Sequence, residues 1–129
     1  MANRYTHRMK HTSREIIVIS GIIKIVGAAS AANNTITLDK GGVGVASVAR
    51  SAAGQITMTL VDKWVECHGA LATFQGAGAF SAKVESHDVS SAKTVVFTVQ
   101  DDALADVDTA NGVTEYIHFA LHLKNSSVR

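Results

Sequence analysis

Two histidines four residues apart, His118 and His122, are the first candidates for chemistry, because this spacing on a helix chelates zinc. Here they lie in residues 114–124, where apolar residues alternate with polar or small ones, a pattern that predicts a β-strand. Four residues of strand at about 3.3 Å each separate the two by about 13 Å, too far to share one metal ion. We therefore expect both histidines on an outward face, turned to solvent or to an interface, and no metal site.

The acidic segment between residues 101 and 115 resembles a calcium-binding loop in composition. Its oxygen-bearing side chains and glycine are Asp101, Asp102, Asp106, Asp108, Asn111, Gly112 and Glu115. With Asp106 as position one, the glycine falls at position seven and the glutamate at position ten. An EF-hand needs these residues at positions six and twelve. The spacing favours a solvated turn, and calcium binding in an irregular geometry stays open.

The glycine-rich run Gly41-Gly42-Val43-Gly44 does not fit a phosphate-binding loop. Lys40 precedes the glycines, and a strand pattern follows where a helix should begin. We interpret these glycines as a tight turn that leads into a β-hairpin.

Nucleophilic catalysis has little support in this chain. It has no Gly-x-Ser-x-Gly motif. Cys67 and His68 are sequence neighbours, which point to opposite faces when extended. We expect Cys67 to be buried and Trp64, at a strand-to-turn junction, to close the core. The sequence therefore predicts neither an enzyme nor a cofactor-binding protein.

Residues 1–14 form a separate basic unit with no acidic residue before Glu15. Nothing apolar recurs there at helical or strand spacing, so we predict an extended arm. Because Tyr5 is its one aromatic residue, the arm favours contact with a protein over contact with nucleic acid. The predicted partner-binding residues are the four cations Arg4, Arg8, Lys10 and Arg14.

Short alternating segments follow the arm and predict the fold. The clearest is residues 43–61, where two period-two runs flank the small turn Ser51-Ala52-Ala53-Gly54, the pattern of a β-hairpin with one buried face. Residues 62–66 and 103–104 are candidates for single helical turns. The predicted strands are 15–26, 35–39, 43–50, 55–61, 70–75, 80–86, 93–100 and 114–124. Seven or eight short strands predict an all-β domain over residues 15–129, a single antiparallel β-sandwich or a jelly-roll-like barrel.

Composition agrees with one globular domain of this kind. The 129 residues are 47% hydrophobic and 18% charged, and the net charge of +1 gives no strong attraction to nucleic acid or membrane. The apolar run at residues 16–26 is about half the length of a membrane span and reads as a buried strand. The single cysteine fits a reducing cytoplasm as the place of synthesis. Proline, a common guard of exposed strand edges, is absent, so short edge strands or pairing with another subunit are expected instead.

Two stretches resemble small virion proteins of tailed bacteriophages. One is GGVGVASVARSAAGQITMTLVDKW, in which a glycine turn, a Val-x-x-x-Arg strand, a small turn and a threonine-rich strand precede an Asp-x-Trp corner. The other is the ending IHFALHLKNSS, an apolar alternating strand followed by a basic residue and Asn-Ser-Ser. The resemblance covers roughly a quarter to a third of the chain.

The resemblance implies a capsid decoration, or cement, protein. Such a protein would be a homotrimer on the surface of the virion capsid, bound to the major capsid protein. The alternatives are a receptor- or glycan-binding module of a tail fibre or spike, and another structural protein of the tail or connector. A small β-barrel hydrolase or isomerase is the least favoured, because the sequence shows no convergent acid–base set.

Overall fold

Two four-stranded antiparallel β-sheets pack face to face in this protein. The structure, a computed structural model, describes residues 16–124. The strands are β1 (Ile16–Val26), β2 (Thr35–Gly41), β3 (Val45–Ala52), β4 (Gln55–Leu60), β5 (Glu66–Gln75), β6 (Ser81–Asp88), β7 (Thr94–Gln100) and β8 (Thr114–Lys124). Sheet A has the order β2-β1-β8-β5, and sheet B has the order β3-β4-β7-β6. The prediction of an antiparallel β-sandwich is confirmed.

The core lies between the sheets and is built by the alternation seen in the sequence. In β8, Ile117, Phe119, Leu121 and Leu123 are buried, and the residues between them are half-buried. The other core side chains come mainly from the central strands β1, β4 and β7: Ile19, Ile23, Ile25, Ile56, Met58, Leu60, Val95, Phe97 and Val99. Period-two alternation therefore placed the buried faces of the central strands correctly.

Differences from the prediction occur at junctions between strands. Residues 62–66 do not form a helical turn. The chain bends there and enters β5 at Glu66, with the Val65 amide donating to the carbonyl of Lys124 at 3.0 Å. Residues 103–104 lie in a hydrogen-bonded turn and not in a helix. Within the part of the chain that the structure describes, the helical residues are the single 3-10 turn Ala31–Asn33.

The glycine run forms the tight turn that the sequence predicts between β2 and β3. Gly41, Gly42 and Gly44 have φ angles of 69°, 73° and 96°, a region that favours glycine. The Gly42 amide donates to the carbonyl of Ser20 at 2.8 Å, which anchors the turn on β1.

Each of the four edge strands carries at least one β-bulge. The unpaired extra residue always lies on the edge strand, never on its central partner: Asp39 in β2, Ala46 and Ser51 in β3, His68 in β5, and Glu85 in β6. All five are exposed. A bulge interrupts the regular ladder and twists the edge, which hinders pairing with another chain. The edge strands span seven to ten residues, so bulges, rather than shortness, guard this proline-free sandwich.

Candidate interaction surfaces

One end of the sandwich is closed by an ion pair between strand β3 of sheet B and the loop from β7 to β8. The guanidinium of Arg50, on β3, donates from Nε to Oδ1 of Asp108 at 2.9 Å and from Nη2 to Oδ2 at 3.0 Å. The Gly54 amide donates to the same Oδ1 at 3.1 Å. The hydrogen bond from Arg50 is the main reason that the pKa of Asp108 lies below its ordinary value. The two charges neutralise each other, so we interpret the pair as a structural contact between β3 and the loop.

In the acidic loop whose composition resembles a calcium site, the carboxylates of Asp101, Asp106 and Glu115 accept hydrogen bonds from different partners. Asp101 accepts hydrogen bonds from the amides of Ala103 and Ala105 at 2.9 and 3.0 Å. Asp106 accepts one from Gln100, and the buried Glu115 accepts one from Thr109 Oγ1 at 2.6 Å. Among residues 16–124, no three histidine, cysteine or acidic side chains gather in a way that could hold a metal ion. These carboxylates are therefore hydrogen-bonded to separate partners within the protein.

A small cleft lies beside the Arg50–Asp108 pair, between the two sheets. Its walls include the aliphatic side chains of Ile25, Ile36 and Val107. Its volume of about 10 Å³ has room for about one water molecule. A cleft of this size does not accommodate a substrate or a cofactor.

The two histidines of β8 lie on the outer side of sheet A, as the alternation predicts. Their neighbours in sequence, Ile117, Phe119 and Leu121, point into the core. His118 Nε2 lies 2.6 Å from Gln75 Oε1 on the neighbouring strand β5. The rings are therefore surface groups of a strand and not a chelating pair on a helix.

Cys67 and His68 also face opposite ways. Cys67 packs against the core, half-buried, and its thiol donates to the carbonyl of Gly69 at 3.4 Å. Burial raises the pKa of the Cys67 thiol, which disfavours the nucleophilic thiolate. His68 is the bulged, exposed residue, 2.8 Å from Glu66. Trp64 packs against the core, as expected for a residue that closes it.

The outer side of sheet A, which we call the A face, carries exposed apolar residues between polar ones. On it, Val18 is 54% exposed and Leu71 is 63% exposed. The register places Ser20 and Leu71 on either side of Ala120, in one strip across β1, β8 and β5 that is flanked by the rows of His122 and His118. Exposed apolar residues that share one face make it a candidate interaction surface.

The outer side of sheet B has a different chemistry. Its central strands present Thr57 and Thr59 from β4 and Thr94, Val96 and the buried Thr98 from β7, and its edges add Lys83 and Asp88. This polar surface suits contact with water. The two faces of the sandwich are therefore not equivalent, and the A face is the better candidate for a partner.

Sequence reasoning missed the A face, although a signal was present. The run at residues 16–26 is apolar at both odd and even positions, the pattern of a strand buried on both sides. In the structure, sheet B covers the inner side of β1. No other part of residues 16–124 covers its outward residues.

The predicted arm contacts Arg4, Arg8, Lys10 and Arg14 lie outside the described residues. Charge separates the two parts of the chain, because residues 16–124 contain seven lysines and arginines against ten acidic residues. The sandwich is thus mildly acidic, and the basic charge of the chain is concentrated in the arm.

Comparisons with known proteins gave no match to a family model, to a curated protein or to a solved structure. A search of the described residues for a helix long and apolar enough to cross a membrane found none.

Proposed function

We propose that this protein is a non-enzymatic structural protein of a phage virion, a capsid decoration protein that binds the major capsid protein as a homotrimer. The observation that carries a binding role is the exposure of two apolar side chains, Val18 and Leu71, on the A face. The phage assignment rests on the resemblance of residues 41–64 and 117–127 to small virion proteins. The function of such a protein is adhesion, repeated over many symmetry-related copies.

The basic arm is the part of the chain that we assign to the shell. Four cations within residues 1–14 suit an acidic strip on neighbouring capsomers, and rim charges of this kind mainly set the rate and register of association. Many copies, each with a modest contact, would oppose the outward pressure of packaged DNA by avidity.

The packing of the aromatic residues argues against the alternative of a glycan-binding module. Such a module needs an exposed aromatic platform. Phe97 and Phe119 pack together in the core with ring centroids 5.7 Å apart, and Phe74 packs edge-on to Phe80 at 5.6 Å. Trp64 also packs against the core. Among the described residues, Tyr116 is the aromatic side chain left on the A face, half-buried.

The copy number in phage particles tests the proposal. Quantitative mass spectrometry of particles from the source of this gene should find hundreds of copies per particle, in a fixed ratio to the major capsid protein. Tens of copies or fewer would favour the tail fibre alternative, and absence from particles would overturn the virion assignment.

A second measurement tests the arm. The purified chain and a variant with Arg4, Arg8, Lys10 and Arg14 replaced by alanine should be sedimented with shells of the major capsid protein. We expect the variant to lose binding. A control with four lysines of the sandwich replaced, Lys40, Lys63, Lys83 and Lys93, should keep it, and equal loss in both would contradict a specific role for the arm.

A further inference from the structure

We infer that the A face is the surface through which copies of this chain associate with one another. This inference deepens the proposed function by assigning the association of copies to a particular surface, and it rests on that function only for the expectation that copies associate. The occupant to which we commit is the same face of another copy.

The first argument is the sequence of β1. A strand that is apolar on both sides is typical of a sheet covered on both sides. Sheet B covers the inner side, where Ile19, Ile23 and Ile25 are buried. Of the outward residues, Ile16, Val18, Ile22 and Val26 are apolar, Ser20 and Lys24 are polar, and Val18 is 54% exposed.

The second argument is charge. Three successive rows across β1, β8 and β5 contain no lysine, arginine, aspartate or glutamate. These rows are Val18–His122–Gly69, Ser20–Ala120–Leu71 and Ile22–His118–Thr73. Formal charge borders them at Lys24 and at Lys40 of β2, which pairs with Ile22, on one side and at Lys124 beside Glu66 on the other. Identical copies can therefore meet over this area without bringing like charges together, which a charged face would forbid.

The third argument is size and shape. Strands about 4.8 Å apart and about 3.3 Å long per residue give the four-stranded A face, its charged margin included, roughly 600 Å² in projection, of which the three uncharged rows are roughly half. A standard interface buries about 800 Å² per partner, so self-association would use the charged margin as well as the uncharged rows. The small residues Ser20, Gly69 and Ala120 keep its middle shallow, so another copy can approach closely.

The bulged edges make the faces the available route to self-association. Every edge strand has an exposed bulge, so continuation of a sheet into a neighbouring copy is hindered at all four edges. A face-to-face contact uses side chains alone and needs no free edge. It is compatible with two copies stacked about a two-fold axis or three copies whose A faces point to a three-fold axis.

Light scattering on the purified full-length chain, paired with substitutions, tests the inference. We expect the native mass to be two or three times 13.6 kDa. Val18→Lys and Leu71→Lys should each raise the dissociation constant on the order of a hundredfold and lower the mass to that of one chain, because burial of an ammonium group without a partner opposes association.

Matched controls carry the same chemical change to exposed positions elsewhere. Val43→Lys lies in the glycine turn, where Val43 is 90% exposed, and Leu104→Lys lies in the acidic loop, where Leu104 is 75% exposed. Both should keep the native mass, and circular dichroism should show all four variants folded. A monomeric native chain, or a native mass in both face variants, would overturn the inference.

A chain shortened to start at Glu15 tests whether the arm, and not a second copy of the chain, covers the A face. If the arm covers its own A face, the full-length chain will be a monomer and the shortened chain will associate, which overturns the inference. The results that contradict the proposed function differ from those that contradict the A-face contact. An oligomer that is missing from phage particles contradicts the virion role alone, and a monomer found at hundreds of copies contradicts the A-face contact alone.

Discussion

Arg50 and Asp108 join two segments that lie far apart in the sequence, through two parallel hydrogen bonds of 2.9 and 3.0 Å. Arg50 belongs to an edge strand of sheet B, and Asp108 belongs to the loop that returns the chain to β8 of sheet A. The side chains are 26% and 20% exposed, so the pair is partly shielded from water. The bond from Gly54 to Asp108 adds the β3–β4 turn to the same junction. A single carboxylate thus holds one end of the sandwich together.

Replacement of that carboxylate should destabilise the fold in a pH-dependent way. The pKa of Asp108 is lowered chiefly by its hydrogen bond from Arg50, so the contribution is present above the unfolded pKa of about 3.9. It is lost as the pH falls through the lower, folded pKa. Asp108→Asn should therefore lower the urea midpoint at pH 7, and the difference from the native chain should shrink in strong acid. Asp102→Asn, an exposed change in the same loop, is the control. A difference that does not shrink would contradict the ion-pair explanation.

Shortening of a core side chain in β8 should cost far more than the same change on the surface. Leu121 is fully buried in a central strand of sheet A, whereas Leu104 is 75% exposed. Leu121→Ala should lower the free energy of unfolding by about 3 kcal/mol, through lost burial and the cavity left behind. Leu104→Ala should change it by less than about 0.5 kcal/mol. Chemical denaturation measures both, and similar losses would show that the core is misassigned.

Substitution of two glycines with positive φ angles should distinguish the cost of backbone strain from the cost of steric overlap. Gly54 has a φ of 67°, and a Cβ there would lie 2.6 Å from the Val107 nitrogen. Gly112 has a φ of 76°, and a Cβ there would meet nothing within 4 Å. Gly112→Ala should cost about 1–2 kcal/mol, the strain of a left-handed backbone. Gly54→Ala should cost clearly more, because the backbone of Val107 has to move, and equal melting temperatures would contradict this.

The Cys67 thiol should react slowly in the folded protein. Burial against the core raises its pKa, so the thiolate is scarce near neutral pH. Alkylation by iodoacetamide at pH 8 should be several-fold slower than in urea-unfolded chain, where the shielding is lost. Equal rates in the two states would show an open and reactive cysteine.

Much of the architecture could be predicted from local patterns. Each of the eight strands overlaps a segment that the sequence predicts as a strand, and β8 has the predicted bounds. The hairpin turn at Gly54 and the glycine turn at residues 41–44 were also predictable, since positive φ angles select glycine. The predicted helical turns failed, because residues 62–66 are drawn into the start of β5 by a hydrogen bond to β8.

The functional surfaces were less predictable. Nothing local links Arg50 to Asp108, which are 58 residues apart in sequence. The bulges could not be predicted either. A bulge places two residues of one strand opposite one residue of its partner, so it can be recognised only when the partner strand is known. The run of β1 is apolar at most positions on both sides, yet the sequence could not show that Leu71 lies across β8 from it.

The sequence by itself determined the strands, their buried faces and the turns, because these depend on periodicity and on residues with restricted or unusual backbone preferences. Only the tertiary structure decided which strands became edges, where they bulge, and that Ser20, Ala120 and Leu71 share one strip. These features depend on pairing between segments distant in the chain, and side-chain alternation within one segment carries no information about its partner.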